Sequence, residues 1–401
     1  MIGNTYDLWA PAHRANPRPL YARIRQEAPV VRLVDPVQRM PIWLVSRYTD
    51  VVAVLRDGRL KKDPRELSEQ ARSRFFGTSQ DALLRHMLAA DPPNHTRLRS
   101  LVSRAFTSRR IEELRPRVAA IATGLLEAAR ARGSVDFLDA FAFPLPIIVI
   151  AELLGVPAED RDQFRAWTNT LFIPPADGNQ EPVLAAGVSF VRYFSSLFER
   201  RRAEPGDDLI SALLAVEEQG DRLSHDELIG MLFLLVVAGH ETTMNLLGSG
   251  LLALLEHPEQ LERLRADRSL MGSAVEELLR YCSPLETSTL RFTVEPMEVC
   301  GQVIPAEEMV VGGLMSANHD PEVFAEPERF DVGRTPNKHV AFGFGIHFCL
   351  GVPLARLEAA VALELLLERA PRLRLAVPPE RLRWRRTAFI RGLEQLPVTF
   401  G

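Results

Sequence analysis

Residues 224–258 read SHDELIGMLFLLVVAGHETTMNLLGSGLLALLEHP, more than thirty residues with no internal proline and apolar side chains on nearly every face. Ser224 and Glu227, three residues apart, form a capping box at the start, and Pro258 after His257 marks the end. A surface helix needs only one apolar stripe, so a helix that is apolar all round must be enclosed by protein. The fold is therefore expected to wrap around it. Apolar residues recurring at three and four place further helices at 110–132, in DDLISALLAV and in DVVAVLRD from Asp50. Residues 43–45, the run after Arg32 and MEVCGQVIPAEEMVVGG read as short strands punctuated by Pro and Gly. The expected class is mainly α with a small β part. No linker, repeat or charge block divides the 401 residues, so a single domain, 1–401, is expected.

With 46% apolar and 25% charged residues the chain can build a large core, and its net charge of −4 argues against nucleic acid as a partner. Three cysteines, Cys282, Cys300 and Cys349, are too few and odd in number for a disulfide framework, which points to a reducing, cytoplasmic setting. The first thirty residues hold no apolar h-region and no span of about twenty apolar residues, so no membrane anchor is expected.

One of the three cysteines stands apart. Residues 341–356, AFGFGIHFCLGVPLAR, put Cys349 in a glycine-rich loop directly before an apolar helix, where N–H dipoles favour the thiolate that a metal needs. Gly343, Gly345 and Gly351 can take positive φ or let a flat group approach, and Phe342, Phe344 and Phe348 form an apolar wall. A buried structural cysteine is the simpler reading of the residue alone. A zinc site with His339 and His347 lacks the four ligands and paired spacings that closed zinc sites use. The loop as a whole reads as a haem-iron ligand loop. Inside the long helix, AGHETT puts an acid and two hydroxyls in an apolar setting, where the common fate of a threonine is to bond its own helix.

Taken together, the Cys349 loop, AGHETT, EELLRY with Glu277 and Arg280, and PERFD with Arg329 resemble the cytochromes P450 in order and spacing along nearly the whole chain. That resemblance implies haem b held by Cys349 between the central helix and the ligand loop, with Ala238, Phe342, Gly343 and Gly351 against the cofactor. It makes His95, Arg99, Arg291 and His347 the propionate partners, Glu241 and Thr242 the catalytic acid and alcohol of dioxygen activation, and Glu277, Arg280 and Arg329 a buried structural triad. His240 stands at a position often apolar or aromatic, facing the substrate cavity, the helix packing or a water network, and His319 replaces the usual arginine of a surface contact.

By the same resemblance the activity is a monooxygenase inserting oxygen from dioxygen into an apolar substrate, near the bacterial macrolide and secondary-metabolite hydroxylases. The substrate positions correspond to Leu84, Met87, Leu88, Leu234, Ala238, Leu285, Thr289, Phe389 and Ile390. Electrons are expected from a separate ferredoxin and its NAD(P)H-dependent reductase, since no reductase segment follows Gly401. A face behind Cys349 with Arg97, Arg104, Arg109, Arg110, Lys338 and Arg356 would receive the donor, and the enzyme is expected to be a monomer. Its rivals are a peroxide-driven or dehydrating haem-thiolate enzyme and a haem sensor or carrier without turnover; the acid–alcohol pair argues against the carrier.

Overall fold

The structure is a computed structural model that describes residues 6–35, 40–76, 81–172, 181–216, 220–387 and 389–401. Among the described residues the strands are β1 (Val30–Val34), β2 (Pro41–Val45), β3 (Ser134–Asp136), β4 (Arg291–Phe292), β5 (Met297–Val299), β6 (Gln302–Ile304), β7 (Met309–Gly312), β8 (Arg374–Leu375) and β9 (Pro397–Thr399). The rest of the regular structure is helical, and the mainly α, minor β class expected above is what the chain adopts.

Two compact units emerge. The first comprises residues 1–77, 122–142 and 242–401, the second residues 78–121 and 143–241, so the division falls inside the long helix, between Glu241 and Thr242. That helix is His225–Glu256. The capping box forms as expected: the Ser224 N–H donates to Glu227 Oε2 at 2.9 Å, and the Glu227 N–H donates to Ser224 Oγ at 3.3 Å. By length and composition the helix could cross a membrane, but its most apolar stretch is mostly buried inside the protein, as a core helix is. Glycines let neighbours approach its backbone. A Cβ at Gly239 would lie 2.9 Å from Ile150 Cδ1, one at Gly248 2.5 Å from Leu138 Cδ2, and one at Gly250 3.3 Å from Leu278 Cδ1.

In the first unit a four-stranded sheet, ordered β1-β2-β7-β4, joins the N-terminal strands to the late ones through the parallel pair β2–β7. Alternation sends Leu33, Leu44 and Val311 to one face, against Tyr21 and Ile24 of the helix Arg18–Glu27. Val30, Val45 and Val310 go to the other face, against Val51, Val54 and Leu55 of the helix Tyr48–Arg56. A second cluster packs Leu246 and Leu254 of the long helix with Leu278 of the helix Met271–Cys282 and Leu363 of the helix Val352–Arg369. In the second unit the helices Arg161–Phe172 and Glu181–Ala203 pack together, with Phe164 edge-on to Phe194.

Two expectations are corrected here. The single helix read at 110–132 is two, Ser108–Glu113 and Arg115–Ala131, interrupted at Leu114 just before Pro116, whose ring has no N–H to donate back to the preceding turn. His319 is no surface residue: it is buried, its Nδ1 bonds the Met315 carbonyl at 3.0 Å, and burial holds its pKa well below the usual histidine value.

Candidate active site

Cys349 is exposed, and its backbone N–H donates to the Phe342 carbonyl at 3.0 Å, closing the loop on itself. Gly343 and Gly345 both adopt the left-handed region, at φ 73° and 75°. At Gly345 a side chain is further excluded by the Leu55 carbonyl, which a Cβ would meet at 2.7 Å. The apolar helix Val352–Arg369 follows directly, with Gly351 at its N-cap, and a Cβ there would sit 3.7 Å from the Cys349 sulfur. The sulfur therefore lies at the positive end of a helix, which favours the thiolate. The other two cysteines are unsuited to that role. Burial pushes the Cys282 thiol up to about 12, and burial with the nearby Asp50 pushes Cys300 up to about 11.

The surroundings of Cys349 fit a flat apolar cofactor. Ile346 and Phe348, large apolar side chains that normally seek the interior, are 49% and 43% exposed just before it in the chain. Phe342 lies between Phe348 and His339, at ring separations of 6.4 and 5.9 Å, and Arg56 stacks over Phe344 at 4.3 Å. Arg291 is buried on β4, donating to the Thr289 carbonyl at 3.2 Å, and His347 is partly buried in the loop. In the second unit, His95 and Arg99 share the helix Asn94–Ala105, His95 buried and Arg99 half-buried. Along the long helix Ala238 is exposed, Glu241 and Thr242 are half-buried, and Leu234 is buried.

His240, left open by the sequence, serves helix packing: its Nε2 bonds the Phe143 carbonyl at 3.2 Å and its ring meets the Phe143 ring edge-on at 4.3 Å. Met87 is buried in the turn Met87–Ala89, which packs on the helix Asn94–Ala105, and Leu84 and Leu88 are half-buried nearby in sequence. In the first unit Leu285 and Ile390 pair through an antiparallel bridge, Phe389 accepts from the Glu286 N–H, and Thr289 Oγ1 accepts from Lys62 at 2.7 Å.

The charged triad forms with one member changed. Glu277 and Arg280 are fully buried and joined by two hydrogen bonds of 2.8 Å. Their third partner is Arg334, whose Nε lies 3.1 Å from Glu277 Oε2, whereas the Arg329 side chain pairs with Glu326 at the surface. Arg329 contributes its carbonyl to Arg280 instead. Sequence reasoning also missed Glu276. It takes two 2.7 Å bonds from Arg356 and one of 3.1 Å from His339, tying both ends of the ligand loop to the helix Met271–Cys282. The proposed cationic face is correspondingly weakened. Arg97 pairs with Asp221 and Glu227, Arg109 with Glu113, Arg110 with Asp207 and Arg356 with Glu276.

A cysteine loop bordered by exposed apolar side chains and steadied by a buried Glu–Arg network is the kind of seat that a haem-binding protein provides. The sequence profile of the family described as Cytochrome P450 matches residues 191–381. The chain is 50% identical to cytochrome P450 107B1 of Saccharopolyspora erythraea, over 95% of this chain and 94% of that one. It is 48% identical to the vitamin D(3) 25-hydroxylase of Pseudonocardia autotrophica, over 99% and 96%. Its fold superposes on the myxobacterial cytochrome P450 CYP267B1, solved with myristic acid, with a TM-score of 0.92, 49% identity and 98% of both chains covered. The chain belongs to the cytochrome P450 family, and it is a haem-dependent monooxygenase.

Two outcomes follow for the ligand loop. Arg334→Ala, by leaving a buried carboxylate short of a cation, should lower stability by about 3 kcal/mol and reduce haem retention, while Arg329→Ala should change either by less than about 0.5 kcal/mol; thermal unfolding of the two holoproteins followed at the Soret band decides this. Burial alone would raise the Glu276 carboxyl, but hydrogen bonds from His339 and Arg356 outweigh it and hold it at about 2. A depressed carboxyl stabilises the fold above its unfolded value and loses that contribution as pH falls from about 4.5 towards 2. Glu276→Gln should therefore be less stable at neutral pH and show a flatter stability profile across that window, measured by acid titration of the circular dichroism signal.

Proposed function

We propose that Cys349 would supply the thiolate that holds the haem iron, that His95, Arg99, Arg291 and His347 would hold the haem propionates, and that Glu241 and Thr242 would deliver protons for dioxygen reduction. The observation that carries this reading is the Cys349 loop, an accessible thiol at a helix N-terminus bordered by exposed apolar side chains. When bound, haem supplies the iron at which dioxygen is reduced and one oxygen atom is inserted into a C–H or C=C bond. The reaction consumes dioxygen, two electrons and two protons, and releases one water. In this scheme the Thr242 hydroxyl would hand on a proton, and the Glu241 carboxyl, protonated from solvent, would replace it. Ala238, lacking bulk, leaves room for the flat cofactor beside the helix, and Phe342, Gly343 and Gly351 frame its thiolate side.

The substrate we infer is a sizeable apolar molecule. Leu84, Met87, Leu88, Leu234, Ala238, Leu285, Thr289, Phe389 and Ile390 are nearly all apolar, and such a lining binds by area removed from water, roughly 25 cal/mol per Å². A relative named for vitamin D3 and a structural neighbour solved with a fatty acid support that class. Electrons come from a separate ferredoxin and reductase in the cytoplasm, and the chain acts as a monomeric single domain.

Reduced protein with carbon monoxide should show the red-shifted thiolate Soret band, and Cys349→Ser should abolish it while Cys282→Ser and Cys300→Ser keep it; any other order reassigns the ligand. Thr242→Ala should bind apolar substrates as the parent does yet divert electrons into hydrogen peroxide, read as the ratio of peroxide formed to NAD(P)H consumed. Unchanged coupling would remove Thr242 from the relay.

A further inference from the structure

Behind the bridge between Leu285 and Ile390 lies a buried charge cluster that neither the haem nor the proton relay uses. Glu286 is wholly inaccessible; its Oε2 accepts from Arg14 Nη1 at 2.6 Å and from the Tyr21 hydroxyl at 3.4 Å, and its Oε1 lies 3.5 Å from Arg391 Nη1. Arg391 also donates to the carbonyls of Arg14 and Ala15, at 2.8 and 3.3 Å, and its guanidinium stacks 3.7 Å above the Trp384 ring. Two buried guanidiniums thus share one buried carboxylate, and main-chain carbonyls and an aromatic face take up the rest of their surface. Such clusters cost desolvation energy and bring geometric specificity in exchange.

What the cluster fixes is the relative height of two segments far apart in sequence. The Glu286 N–H donates to the Phe389 carbonyl at 2.9 Å and the Arg391 N–H to the Pro284 carbonyl at 2.9 Å, so both charged residues sit on the bridge that pairs Leu285 with Ile390. In extended chain, neighbours point to opposite faces. With Glu286 and Arg391 directed into the cluster, Leu285 and Ile390 face away from it; Leu285, like Phe344 of the ligand loop, packs on the apolar cluster of Val45, Val310 and Leu314. The next residue, Gly392, abuts Asn245 of the long helix, one turn beyond Thr242, so closely that a Cβ there would overlap the amide.

We propose that Arg14, Glu286 and Arg391 form a brace that sets where the Leu285–Ile390 wall presents substrate, making the short N-terminal helix Pro11–Ala15 a determinant of regioselectivity. The three are positioning residues and touch no substrate. The inference rests on the pocket assignment made above. It differs from that assignment in locating selectivity in a charge cluster behind the wall.

The test uses the haem-loaded protein. Arg391→Lys and Glu286→Gln keep size and polarity while loosening the geometry, and Trp384→Leu removes the stacking surface without altering charge. Ferric spectral titrations with a fatty acid, a steroid and a macrolide, plus imidazole as a direct iron ligand, are paired with product analysis. The brace predicts an intact carbon-monoxide spectrum, unchanged imidazole affinity, about tenfold weaker binding of the largest ligand and a changed product ratio. Unchanged affinities and products in haem-replete variants overturn it. Should the Arg391 and Glu286 variants fail to retain haem, Trp384→Leu decides on the same readouts. Leu285→Ala, run alongside, separates the two ideas: if it alters binding and the brace variants do not, the pocket stands and the brace falls. If Leu285→Ala alters nothing, both fall.

Discussion

The buried pair Glu277–Arg280 is the contact on which the ligand loop depends. Arg280 donates to Glu277 and to the carbonyls of Asn318, Pro327 and Arg329, while Glu277 accepts from Arg280, Arg334, the Asp331 N–H and Asn337. Two side chains on one helical turn thus fix a segment with almost no regular structure, from Asn318 to Asn337, that runs directly into the cysteine loop. Away from water these bonds meet no competing solvent, so their directionality is retained, and each group removed would leave another uncompensated. Asn318 extends the network by receiving the Val340 N–H on its Oδ1 and donating to Ser283 Oγ. An irregular loop can hold its cysteine in a fixed place only when something rigid lies beneath it.

Much of this was legible in the sequence. The long helix was marked by its capping box and its all-round apolarity, and its bounds follow those signals closely because both act within one turn of the ends. Strands were legible at 43–45 and after Arg32 from alternation, but both begin earlier, at Pro41 and Val30, where the pattern gives no start signal. The interruption at Leu114 was less so, since periodicity continues across it and only the missing N–H of Pro116 betrays it. The left-handed glycine turn before Cys349 was readable because glycine and phenylalanine at fixed spacing carry backbone and packing constraints together.

Side-chain pairing was harder to read. Arg329 and Arg334 are five residues apart in one irregular segment, and nothing local says which reaches back to Glu277; that choice belongs to the path of the chain, which spends the Arg329 carbonyl rather than its guanidinium. The positive face shrank likewise, because Asp221, Glu227, Asp207 and Glu276 approach its arginines from other parts of the chain. The Arg14–Glu286–Arg391 cluster, joining residues 272 and 105 apart in sequence, left no local trace at all.

The glycines of the long helix act as a keyway. At Gly239, Gly248 and Gly250 the helix backbone itself receives a methyl group from a neighbour, so turning the helix or sliding it by one residue would drive a larger side chain into an occupied slot. The angular registry of Glu241 and Thr242, on which any proton route through them depends, is thereby set by side chains that are missing. The rotation of the helix is thus held by neighbours seated on its backbone rather than by the side chains it carries on its other faces.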